Sequence, residues 1–116
     1  MNGIGYIRLR RIEEKNGLEK TNDLFQRDFI TLYRGIANES LNINPLKFAP
    51  CWASEKREVA EKYAYRWAKM KNIKPILLIA TVRPKAIYEG VIRKGILKIC
   101  RYDPEMVENL QIIELK

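Results

Sequence analysis

The amino-acid sequence predicts an α+β domain, in which a mostly antiparallel sheet, bent or split around a cleft, carries one main helix (about 54-70) and a short N-terminal helix. Three observations support this. Helical periodicity is strong in one place, where Val59, Ala60, Tyr63, Ala64, Trp67 and Ala68 recur at the spacing of a single buried face. The run just before it, Ile30-Thr31-Leu32-Tyr33-Arg34, is built of β-branched and aromatic residues suited to a strand. Three further strand-like runs follow the helix and complete a sheet.

In chain order, Gly5-Tyr6-Ile7-Arg8-Leu9-Arg10 alternates apolar with polar side chains, the pattern of a half-buried strand, and Lys15-Asn16-Gly17 ends it with a turn. Its exposed face carries Arg8 and Arg10, with Arg11 close by, as charges that either guard an edge strand or seek phosphate. Leu18, Leu24, Phe25 and Phe29, with Thr21, Asn22 and Asp23 as caps, predict a short helix starting near Thr21 or Asn22. Residues 30–34 then form a strand ending at Gly35. Arg34 is the one charge in it, and so either pairs internally, with Asp28 or Glu114, or points into a cleft.

From Ala37 to Pro50 the sequence is irregular, interrupted by Asn38, Asn42, Asn44, Pro45 and Pro50, which marks a candidate lid or binding loop. Cys51-Trp52-Ala53 is a short strand feeding the main helix. Ser54 suits its N-cap, because the hydroxyl can accept from an unpaired N–H, and Glu55 and Glu58 put negative charge at the positive end of the dipole. Lys56, Lys62, Arg66 and Lys69 interleave with glutamates on a solvated outer face. Residues 75–82 are nearly continuous in apolar side chains, which places a strand at the centre of the sheet, and Pro84 ends it. A turn-rich connection through Glu89 and Gly90 leads to a strand over 95–102. Asp103-Pro104 pairs an N-cap with proline at the first helical position, predicting a single helical turn, and residues 110–115 close the sheet.

At 116 residues, with 47% hydrophobic and 31% charged side chains, the chain is expected to fold as one domain over 1-116. No apolar run is long enough to cross a bilayer and the N-terminal residues lack a secretory pattern, so the expected location is cytoplasmic, with no membrane partner. Cys51 and Cys100 are too few for a disulfide scaffold or a zinc site, and without histidine every His-based triad is excluded and no metal site is expected. Both read as buried, reduced thiols. The net charge of +8 and a pI near 9.6 favour an anionic partner: nucleic acid, a phosphate-bearing cofactor or an acidic protein surface.

Leu32-Tyr33-Arg34-Gly35, followed by Trp52-Ala53-Ser54-Glu55-Lys56-Arg57-Glu58-Val59-Ala60-Glu61-Lys62-Tyr63-Ala64, resembles the arginine-serine-glutamate class of the ADP-ribosyltransferase superfamily. The similarity runs in order over residues 30–115, through strands that match the family's last ones. It implies an ADP-ribosyltransferase-like fold, NAD as substrate and a protein or nucleic-acid acceptor. Arg34 would grip the pyrophosphate with the paired hydrogen bonds of a planar guanidinium. Ser54 would help hold the nicotinamide ribose, and Tyr33 or Trp52 would stack on the nicotinamide. Loss of nicotinamide leaves an oxocarbenium-like ribose, which a carboxylate beside it stabilises. Where the family places that glutamate, this chain reads Gly95-Ile96-Leu97-Lys98-Ile99, and Glu89 is the nearest candidate. Ala53 stands at the family's first hydroxyl position.

Two other classes of function fit the same sequence. One is a small basic nucleic-acid-binding protein using Arg8, Arg10, Arg11, Lys94, Lys98 and Arg101. The other is a dimerising interaction protein joined through an edge strand or the long loop.

Overall fold

A computed structural model describes residues 13–14, 26–44, 52–93 and 96–116. The described chain forms two sheets. One has the order β2-β4-β7, from β2 (Ile30–Asn38), β4 (Lys74–Val82) and β7 (Val107–Glu114), all antiparallel. The other has the order β1-β5-β6-β3, from β1 (Glu13–Glu14), β5 (Ile87–Arg93), β6 (Ile96–Tyr102) and β3 (Trp52–Ala53). Its pairs are antiparallel except for the two-residue β1, which runs parallel to β5. The expected split sheet is therefore observed. The two halves meet where Tyr33 and Ser54 exchange backbone hydrogen bonds of 2.7 and 2.9 Å.

The core lies between the sheets. Leu32 of β2, Val82 of β4, Ile87 of β5, and Leu97 and Tyr102 of β6 are buried there. The predicted central strand is central: β4 lies between β2 and β7, and Ile76, Leu77 and Leu78 are wholly buried. Helix α1 (Arg57–Lys71) covers the other face of that sheet, packing Ala60 and Ala64 against Leu77. Gly35 permits the approach, because a Cβ there would lie 1.8 Å from the Ala60 carbonyl oxygen. The helix ends on Asn72, whose left-handed backbone (φ 55°) closes the last turn through a bond from its N–H to the Ala68 carbonyl.

Several expectations need correction. The helix begins at Arg57, not at 54; its N-cap is Lys56 and makes no side-chain capping bond. Ser54 is instead held in extended conformation by Tyr33, so its hydroxyl accepts from the Lys56 N–H (2.9 Å) and turns the chain into the helix. The strand through Arg34 does not stop at Gly35, which marks the close helix approach, but continues to Asn38. The presumed turn around Glu89 and Gly90 is the strand β5. Tyr63 and Trp67 are not core: only Ala60, Ala64 and Ala68 are buried on α1, since a helix seated this close to the sheet admits only small side chains. The single turn after Asp103 is found, a 3-10 turn over Pro104–Met106 with the Asp103 carboxylate accepting from the Glu105 N–H. Cys100 is buried and reduced, as expected. The strand predicted over 5–10, residues 21–25 of the predicted N-terminal helix, much of the predicted loop to Pro50, Cys51 and Lys94 lie outside the described residues.

Candidate ligand cavity

A cavity of about 470 Å³ runs along the edge of β2, between α1 and β3. Residues from both faces of β2 reach the cavity because β2 is an edge strand. Tyr33 and Gly35 point toward the helix side, and Arg34 stands on the face it shares with Leu32 and Ile36. From the second sheet come Trp52, Ala53 and Ile99, with Ser54 at the junction. Helix α1 contributes Val59, Tyr63, Trp67 and Lys71.

Four residues singled out in the sequence, Tyr33, Arg34, Trp52 and Ser54, are thus brought together. Arg34 is only 8% exposed and lines the cavity while also interacting within the protein. Ser54 is buried, and its hydroxyl is used twice, accepting from Lys56 N–H and donating to the Leu97 carbonyl at 3.4 Å. The adjacent Glu55 locks the same corner: its N–H donates to the Leu97 carbonyl (2.9 Å), and its carboxylate accepts from Leu97 N–H (2.9 Å) and from Arg27 (2.6 Å). Backbone and side-chain hydrogen bonds of Ser54 and Glu55 thus tie β2, β6 and the start of α1 together beside the cavity.

Glu89 stands elsewhere. It faces Arg101 across β5 and β6, forms a 2.8 Å ion pair with it, and does not line the cavity. No carboxylate is among the described lining residues. Arg101 in turn lies over the rings of Trp52 (5.3 Å) and Tyr88 (5.2 Å), so it is drawn into the protein rather than into an open basic stripe. Lys98, its neighbour in the nucleic-acid set, is exposed; Arg8, Arg10, Arg11 and Lys94 lie outside the described residues. Among the described residues no group of His, Cys, Asp and Glu could hold a metal ion.

Tyr63, Trp67 and Lys71 are the aromatic and cationic lining residues that sequence reasoning did not assign to a site. With Val59 they recur every four residues, one position before the Ala60, Ala64, Ala68 line, and so occupy the neighbouring flank of the same helix. The signal was the size alternation, alanine against aromatic, between those two adjacent lines.

Compared with protein-family models, curated proteins and solved structures, the chain finds no match.

Proposed function

We propose that the split sheet is an ADP-ribosyltransferase-like arrangement and that its cavity binds NAD or a related phosphate-bearing nucleotide without cleaving it. The observation that carries this reading is the convergence of Arg34, Tyr33, Trp52 and Ser54, from two separate stretches of sequence, on one cavity. Arg34 grips the pyrophosphate. A nearly buried guanidinium is worth more to a phosphate than a surface one, because water competes less for its donors. Ser54 fixes the turn between β3 and α1, and the aromatic walls receive the ligand's rings. The absence of a carboxylate among the described lining residues, with Glu89 paired to Arg101, favours binding over transfer, because none of those residues would stabilise an oxocarbenium-like ribose.

Thermal denaturation with NAD and with ADP-ribose tests the binding. A ligand held at a hundred times its Kd adds about 2.7 kcal/mol of stability, a readily measured rise in melting temperature. Arg34→Ala is expected to abolish that rise. Arg34→Lys, which keeps the charge and loses the fork, is expected to retain only part of it. A ligand-induced rise that survives in Arg34→Ala rules out this anchor, and no rise in the unmodified protein rules out the reading. Incubation with labelled NAD and cell extract separates binding from transfer, the expected result being bound nucleotide with no labelled macromolecule.

A further inference from the structure

We infer that the indoles lining the cavity are platforms for an uncharged ring, so the site selects a nucleotide whose stacking ring is neutral, such as adenine or a dihydronicotinamide, over one with an oxidised, cationic nicotinamide; this depends on the nucleotide reading above. Trp52 is 43% exposed and lines the cavity, but one side of its ring is taken: the Arg101 guanidinium lies 5.3 Å from the ring centroid. That contact is built into the sheet. Trp52 faces Arg101 across β3 and β6, and Arg101 faces Glu89 across β6 and β5, so the three side chains form one row. The 2.8 Å ion pair to Glu89 and the Tyr88 ring at 5.2 Å hold the guanidinium in place, and its Nε is buried without a hydrogen-bond partner among the described residues.

A cation on an indole face draws on the ring quadrupole that a second cation would need. The negative charge of Glu89 offsets Arg101 only in part, because β6, which carries Arg101, stands between the strand of Glu89 and that of Trp52. The second indole repeats the pattern: Lys71 Nζ lies 5.6 Å from the Trp67 ring centroid, and both residues line the cavity. Arg34 adds a further cation to the walls. A pyridinium stacked on either indole would meet a positive charge already in place. A neutral ring would not, and its phosphates would still be attracted.

Oxidised and reduced nicotinamide mononucleotide share ribose and phosphate and differ in ring charge, which makes them the direct probes, with ADP-ribose as the neutral-base reference. Calorimetric titration of the full chain is expected to give tighter binding of the reduced form by roughly tenfold. Trp52→Leu is expected to narrow that ratio to roughly threefold, since Trp67 beside Lys71 remains, while ADP-ribose still binds, more weakly. The paired variant Arg101→Met with Glu89→Gln, which removes the cation without stranding its carboxylate, is expected to narrow it as well, with its fold checked by circular dichroism. Equal binding of the two forms, binding of neither, or a ratio unchanged in Trp52→Leu overturns the ring-charge selection alone when ADP-ribose binds. If ADP-ribose also fails to bind, both this inference and the nucleotide reading fall.

Discussion

At the scale of single residues, burial sets the chemistry of Cys100. Its side chain faces the core between the sheets, and burial first, then the nearby Glu55 carboxylate, push the thiol far above its ordinary 9.0. In the unfolded chain the thiol ionises near the ordinary value, so on the alkaline side the unfolded state holds fewer protons than the native one. The stability this group contributes is complete below about pH 8 and falls by about 1.4 kcal/mol per pH unit above the unfolded value. Urea unfolding of the wild type and of Cys100→Ala at pH 8 and pH 10 isolates the effect, since lysines and tyrosines titrate alike in both. The stability advantage of the wild type is expected to shrink by about 1.5 kcal/mol over that interval. A constant difference would mean that Cys100 ionises normally in the folded protein. The same reasoning bears on Arg34, whose charge in an apolar strand was legible as a cleft or core residue. It proves to be nearly buried and also to line a cavity, a combination that only the neighbouring edge of β2 explains.

At the scale of elements, the close seat of α1 on β2 decides which side chains become core and which become cavity wall. A methyl at residue 35 would meet backbone atoms, the Ala60 carbonyl oxygen at 1.8 Å and the Ala64 nitrogen at 2.7 Å, so no rotamer change relieves it. Gly35→Ala must lift the helix and is expected to cost at least about 3 kcal/mol, which lowers the melting temperature by roughly 12 °C or more. Ala60→Gly added to it should restore little, because the clash is with main chain. A melting curve for Gly35→Ala that overlays the wild type would show that the helix sits higher than described here. The seat also explains the misreading of Tyr63 and Trp67, because helical periodicity reports a face but not how near that face lies to its sheet. The run through β4 was readable since both its faces are covered. Asp103-Pro104 was readable since capping is local. Strand β5 was not, because Gly90 imitates a turn residue; in fact a Cβ there would lie 2.8 Å from the Cys100 Cβ, so the glycine serves strand approach beside an irregular register.

At the scale of the whole molecule, the question is where the surplus of eight positive charges acts. Motif order along the chain brought Tyr33, Arg34, Trp52 and Ser54 into consideration together. Their convergence depends on the Tyr33 to Ser54 bridge between sheets, a long-range pairing that no local pattern encodes. Once the sheets are joined there, Arg34 and Lys71 face the cavity, whereas Arg101 is held by Glu89 and two rings. A nucleic-acid module that used Arg101 as a phosphate contact would have to break that row. Salt titration of single-stranded and duplex oligonucleotide binding distinguishes the cases, since each phosphate contact adds about 0.7 to the logarithmic salt slope for single strands and about 0.9 for duplex. Under the cavity reading, binding at low salt is weak, is lost near physiological ionic strength, and keeps its slope in Arg101→Ala. Exposed Lys98 can contribute to such non-specific attraction, so Lys98→Ala is expected to lower the slope by somewhat less than one contact. Tight binding at physiological salt, with a slope that drops by a full contact in Arg101→Ala, would instead make the basic surface the working one and the cavity incidental.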